Sequence, residues 1–474
     1  MHQPAECALV LRGTVVSSRP DRSLSILEDH LLIVNKKGFI AHLAPVNAPE
    51  SQTVLLLVCS GAIPAERYVE LGEDGWVLPG FVDTHIHAPQ YVNTGMALDK
   101  PLMEWLEAYT FKAESRIDAN PHGLGQRVYE RLVQRMLENG TTAASVFGTI
   151  SVEANLVLAR AFLSAGLRGQ IGKVAMDQHS LPSYIETTAS SLYATRDFIS
   201  QMRQLVAPLP EEQRLVEPVV TPRFVPTCSL ELLKGLAEMA KEEDVRVQSH
   251  MCESQGMVDL CREMLGGKSD VEVLNELGLL HSKSLMAHCT HSSPSNLSLL
   301  SSTGTAVASC PLSNVYFSAE RQFPLRAALD EGVKVGLGSD ISGGYRVGID
   351  ESMRWAVAVA RLEEGRNQAK AREGGEKKPD QSIGWKDALF VATLGGAQSL
   401  GLDSKRRVGT LQVGAAFDAQ WISVGGKRSR VDWFDLDEHK VTLEEKLEKW
   451  WCNGSEADRR AVWVQGRKVY EQKQ

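Results

Sequence analysis

Two patterns of apolar and polar positions divide the chain. From about residue 76 onward, short apolar runs alternate with longer segments whose apolar residues recur every three to four positions. That is the pattern of parallel strands joined by crossover helices. Eight runs read as strands: Phe81–Ala88, Thr141–Phe147, Arg168–Asp177, Glu217–Phe224, Arg246–Glu253, Ser284–Thr290, Thr305–Pro311 and Lys334–Asp340. Among the intervening helices, Tyr129–Asn139 stops at Gly140 and Ser229–Glu243 opens on a serine suited to cap it. The predicted fold class is α/β, with a TIM-like (β/α)8 barrel over residues 76–404.

The two ends of the chain read differently. Cys7–Arg12, Thr14–Ser17, His30–Asn35, Phe39–Leu43 and Val54–Cys59 are short strand-like runs, with Lys36-Lys-Gly38 as a hairpin turn. Val408–Gln420 and Ala461–Tyr470 return to the same character. Residues 1–75 and 405–474 are therefore expected to form one small β-sandwich-like domain, split by the barrel. Trp385–Leu400 reads as a helix. The charged, glycine-containing Leu362–Gln381 reads as a solvated, mobile inserted loop.

Composition narrows the function classes. A net charge of −8 and a pI near 5.9 argue against a nucleic-acid surface, which needs a basic patch. Apolar runs are too short to span a bilayer, and no basic-then-apolar leader opens the chain. The eight cysteines (7, 59, 228, 252, 261, 289, 310 and 452) form no CxxC pair, which suits reduced thiols in the cytoplasm.

Barrel chemistry sits at the C-terminal ends of the strands. His85, His87, Asp177, Arg223, His250, Glu253, His288 and Asp340 all fall there. His85 and His87 are two apart on an extended run, so both aim from one face. Neutral imidazoles and a carboxylate make a divalent-metal set, and a bound zinc brings a water's pKa from 15.7 towards roughly 7. Each residue taken singly has a plainer explanation. His250 and His288 suit a packed core, Asp340 a helix cap, and Glu253 the first turn of a helix. Other signatures fail: Gly336-Leu-Gly338 lacks a third glycine, and there is no G-x-S-x-G, no H-E-x-x-H and no H-x-E…P-C-x-x-C.

Four stretches carry a family resemblance: Pro79-Gly-Phe-Val-Asp-Thr-His-Ile-His87, Ser249-His-Met-Cys-Glu253, Ala287-His288 and Gly338-Ser-Asp340. Together they resemble the metal-dependent amidohydrolase superfamily. Nearly the whole chain is similar, more narrowly, to its guanine-deaminase branch. The narrower pieces are His85-Ile-His-Ala-Pro-Gln-Tyr91, Leu102-Met-Glu-Trp-Leu106 with Tyr109-Thr-Phe111, Val220-Thr-Pro-Arg-Phe224 and Ala392-Thr-Leu-Gly-Gly396.

The resemblance implies one Zn2+ per chain, held by His85, His87, His250 and Asp340, with His288 beside the attacking water. Gln90, Arg223 and Phe224 would hold guanine, with His250, Glu253 and Asp340 also facing it. Asp340 would take the water's proton, and Glu253 would protonate ring nitrogen N3 as C2 is attacked. Ammonia would leave and xanthine remain. The resemblance further implies a homodimer with no nucleic-acid or membrane partner. On residues alone, Gln90 suits a surface amide and Arg223 a structural salt bridge. The alternatives are a related amidohydrolase acting on another purine, a pterin or a triazine, and an inert barrel serving as a scaffold. Leu312 in Ser309-Cys-Pro-Leu-Ser-Asn314, Met251, Cys252 and the extra His291 depart from the family pattern, and Leu312 and Cys252 leave the fine substrate preference open.

Overall fold

The computed structural model describes residues 6–376, 378–427, 429–436 and 439–473. Five strands precede the barrel: β1 (Cys7–Ser18), β2 (Leu24–Asn35), β3 (Ile40–Pro45), β4 (Tyr68–Glu70) and β5 (Gly75–Pro79). The eight barrel strands follow: β6 (Phe81–His87), β7 (Thr141–Phe147), β8 (Arg168–Ala175), β9 (Val216–Pro222), β10 (Arg246–Met251), β11 (Ser284–His288), β12 (Ala306–Ser309) and β13 (Val335–Leu337). Three more complete the chain: β14 (Ala419–Ser423), β15 (Arg459–Val464) and β16 (Arg467–Glu471).

β6 to β13 form a closed parallel barrel, sealed where Leu337 of β13 faces Asp83 of β6. The expected barrel is present, each predicted strand lying on an observed one. The remaining strands make a separate mixed sheet in the order β16-β15-β14-β5-β1-β2-β3, with β4 beside β1. Both chain ends contribute to it. The two units are tied by a buried ion pair, Arg168 of β8 on Asp418, with Nη2–Oδ1 at 2.9 Å and Nε–Oδ2 at 2.5 Å.

Several elements differ from expectation. Cys7–Arg12 and Thr14–Ser17 are one strand that shifts register between Gly13 and Val15, where Gly13 has φ +144°. A bulge bends a strand without ending it. Val54–Cys59 lies in the helix Pro49–Cys59, because Pro49 suits the first helical turn and a short apolar run fits either structure. The helix Ile349–Arg372 takes in half of the segment read as a loop. The chain beyond it folds back, with Gln381 N–H donating to Glu364 at 2.9 Å and Lys378 N–H to Asn367 at 2.9 Å. Lys377, within that segment, lies outside the described residues. Trp385–Leu400 is two helices, Trp385–Ala392 and Leu394–Ser399, and Val408–Gln420 enters a strand only at Ala419. Among the described residues no helix is long and apolar enough to cross a membrane. Among the described residues no cysteine forms a disulfide.

Candidate active site

β6 delivers His85 and His87, and the turn that follows it, Ala88–Asn93, delivers Gln90. Arg223 and Phe224 follow β9, His250 lies in β10 with Glu253 beyond it, His288 ends β11, and Asp340 stands three residues past β13. All nine converge on the C-terminal mouth of the barrel. His288 and Asp340 hold left-handed backbone, φ +69° and +45°, a costly state for residues with a Cβ. Gly338 permits the close approach there: a Cβ on it would stand 2.7 Å from Cys310 Sγ and 2.8 Å from His85 Cβ.

The ring nitrogens face one another. His87 Nε2 lies 3.0 Å from His250 Nε2. Asp340 Oδ1 is 3.2 Å from His85 Nε2 and 3.7 Å from His87 Nε2, and its Oδ2 is 3.8 Å from His288 Nε2. His250 Nδ1 donates to the Arg223 carbonyl at 2.6 Å, so its Nε2 offers a lone pair. His288 Nε2, which faces these groups, is buried without a hydrogen-bond partner. Buried polar atoms are seldom left so. Three overlapping sets of ligand atoms, each within 4.8 Å of one another, fit a cation: His85 with His87 and His250; His250 with Glu253 and His288; and His85 with His288, Cys310 and Asp340.

Burial keeps His85, His87 and His250 below the ordinary imidazole value, the last two well below, so they stand as neutral imidazoles. For His288, burial is outweighed by the Glu253 and Asp340 carboxylates, which raise it. Burial pushes the Glu253 carboxyl up. For Asp340 burial is overcome by its hydrogen bond to His85 and the neighbouring imidazoles, which hold it well below the carboxylate range. Two nearby carboxyls are thus shifted in opposite directions.

His87, Gln90, Arg223, Phe224, His250, Glu253 and Asp340 share one cavity, walled by Leu102, Trp105, Leu106, Phe317 and Gly343. Its free volume is about 30 Å³. That holds about one water's share of space.

A model of the amidohydrolase family matches residues 76–469. The chain belongs to the amidohydrolase family. It is 33% identical over 465 residues to guanine deaminase of Dictyostelium discoideum, covering 97% of this chain and 98% of that one. To guanine deaminase of Mus musculus it is 36% identical over 464 residues, covering 98% and 96%. A crystal structure of guanine deaminase from C. acetobutylicum with bound guanine in the active site superposes with a TM-score of 0.82 at 26% identity, covering 98% of this amidohydrolase and 100% of that chain.

Some candidates serve the scaffold instead. Asp177 accepts from Ser229 N–H at 2.7 Å, its Oγ at 2.6 Å and Thr188 Oγ1 at 2.7 Å, anchoring the helix Leu230–Glu242. His291 points at Ser318 Oγ, 2.9 Å away. Gln90 is a buried amide and not a surface one.

Four site residues escaped the sequence reading. Glu114 is fully buried and binds the Arg223 guanidinium at 2.7 Å and 3.0 Å. Its signal was a carboxylate at the i+3 position between Phe111 and Ile117, on the buried face of the helix Phe111–Ala119. Tyr184 donates to the same carboxylate at 3.0 Å, and no local pattern marked it. Asp83 takes Ser339 N–H at 3.0 Å, Ser339 Oγ at 2.5 Å and His85 N–H at 3.2 Å, fastening β6 to the Asp340 turn. It shares a strand face with His85 and His87, which could have revealed it. Asn314 Oδ1 accepts from His288 Nδ1 at 2.9 Å, leaving Nε2 turned toward Glu253 and Asp340.

Proposed function

We propose that this amidohydrolase is a zinc-dependent guanine deaminase, hydrolysing guanine to xanthine and ammonia. One observation carries the reading. A cluster of neutral imidazoles and an ionised carboxylate opens onto the same cavity as a protonatable carboxyl and a pair of purine-reading side chains, Arg223 and Gln90. The similarity to a guanine-bound deaminase supports it.

His85, His87, His250 and Asp340 would hold one zinc ion, since their ligand atoms converge. When bound, the ion supplies Lewis acidity that brings the pKa of water near neutrality. The remaining chemistry belongs to the side chains. Arg223 donates to the exocyclic oxygen or a ring nitrogen of guanine, Gln90 reads its edge, and Phe224 covers an aromatic face. Asp340, kept ionised, accepts a proton from the attacking water as oxygen adds to C2. Glu253, whose burial favours the protonated form, delivers its proton to N3. The amino group takes the proton held by Asp340 and departs as ammonia, while the hydroxyl on C2 gives its proton to Glu253, leaving xanthine and restoring both carboxyls. His288, held by Asn314, orients the water. Residues 76–404 would form the catalytic unit and residues 1–75 with 405–474 the second, and the working form would be a homodimer in the cytoplasm.

The test is an assay of purified protein with guanine, following xanthine and ammonia, with bound metal measured on the same sample. Conversion with near one zinc per chain is expected. Metal without turnover of guanine would overturn the substrate, and absence of both would overturn the reaction class.

A further inference from the structure

Glu114 is saturated. Its Oε2 accepts from Arg223 Nη1 at 2.7 Å and from Tyr184 OH at 3.0 Å, while its Oε1 accepts from Arg223 Nη2 and from Gln90 Nε2, both at 3.0 Å. It touches neither the cavity nor the histidines named above, yet both residues assigned to read the purine hang from it.

The consequence follows from donor and acceptor arithmetic. A carboxylate only accepts, so it fixes the Gln90 amide with nitrogen toward Glu114, and the amide oxygen falls near Ser342, 3.4 Å from its N–H and 3.5 Å from its Oγ. Arg223 spends one hydrogen of each terminal nitrogen on Glu114, leaving Nε–H and one further hydrogen on each for a ligand. The carboxylate also neutralises a guanidinium that is wholly buried against the Phe111 ring, 5.1 Å from its centroid. The reading edge is left with donors and no net charge.

Resting on the assignment of Arg223 and Gln90 to substrate, we infer that Glu114 is a positioning residue that sets this edge to select a purine carrying oxygen, not an amino group, at C6. An oxygen there accepts from the donors that Glu114 aims, whereas an amino group would oppose donor with donor, an unpaired arrangement that costs discrimination energy. Tyr184 completes the setting from behind.

The experiment compares kcat/KM for guanine and for 2,6-diaminopurine, which differs at C6, in the metal-replete enzyme and in Glu114→Gln, Tyr184→Phe, Arg223→Lys, Gln90→Ala and the Glu114→Gln/Arg223→Lys pair. Metal content and denaturation midpoint are measured on every sample. Glu114→Gln is expected to cut the preference for guanine by about tenfold, chiefly through a higher KM, with metal retained. The pair should lose little beyond Arg223→Lys alone, because both act through one contact. Tyr184→Phe should lower the preference by about threefold, and it decides the matter if Glu114→Gln does not fold. An unchanged preference in folded Glu114→Gln, or in Tyr184→Phe where the former does not fold, would overturn the inference while Arg223→Lys and Gln90→Ala still raise KM. Unchanged KM in those two would overturn the substrate assignment itself, and this inference with it.

Discussion

Two polar clusters share the mouth of the barrel, and they are finished differently. The cluster around Glu114 is closed: every strong contact of its carboxylate and of the Arg223 terminal nitrogens toward it is made within the protein. The histidine cluster is open, with His288 Nε2 buried and unpartnered and the Nε2 atoms of His87 and His250 3.0 Å apart. Buried ions are tolerated when they are paired and hydrogen-bonded. A converging set of lone pairs suits a cation from outside. One cluster therefore has its charge balanced within the protein, while the other could accept a charge it does not itself supply.

The largest effect expected from breaking this contrast is at the open cluster. His85→Ala should lose bound zinc and reduce deamination to background, with folding retained, read by metal analysis beside the guanine assay. Full zinc occupancy in that variant would remove His85 from the ligand set. Next, Glu253→Gln should keep zinc and lower kcat by about 10²–10⁴, because a proton donor is lost without touching a ligand. Wild-type turnover there would transfer the acid role elsewhere.

At the closed cluster the effect should appear in stability. Arg223→Met leaves the Glu114 carboxylate buried without its counter-ion, holding only the hydrogen bonds from Tyr184 and Gln90, which costs about 3–5 kcal/mol in denaturant unfolding. A loss under about 1 kcal/mol would show that Glu114 finds another partner or a proton.

The smallest effect concerns Asp118, one turn beyond Glu114 on the same helix. Burial pushes its carboxyl from 3.8 to about 7, with Glu114 and Glu186 raising it and Lys173 lowering it. The folded chain thus holds a proton there that the unfolded chain releases between pH 3.8 and about 7. Its contribution to stability is undiminished below that window and falls as pH rises through it. Asp118→Asn should flatten this slope, leaving the variant more stable than the parent at pH 8 and not at pH 4. Identical pH profiles would place the Asp118 proton elsewhere.

Much of the site was legible because barrels confine chemistry to one rim. His85, His87, Arg223, His250, Glu253, His288 and Asp340 were selected by their place at strand ends, and the structure brings them together. The same rule selected Asp177, which anchors the capping Ser229 of a helix instead, because a strand end shows where a side chain starts and not where it points. Arg223 met both of its readings, as it lies in the cavity and in a buried ion pair. The mixed sheet was legible as strand-like chain ends, but its order was not, since β5 joins β14 across some 340 residues of intervening chain.

The sequence by itself determined the barrel, the residues that stand at its strand ends and the acidic net charge, because period, residue type and charge are local properties. Tertiary structure decided which groups complete one another. Glu114 meets Arg223 across 109 positions and Tyr184 across 70, and Asp83 meets Ser339 across 256. Such pairs leave little mark on a local pattern. A carboxylate's role depends on which donors the fold brings within about 3 Å of it, a distance at which burial and pairing together decide its charge.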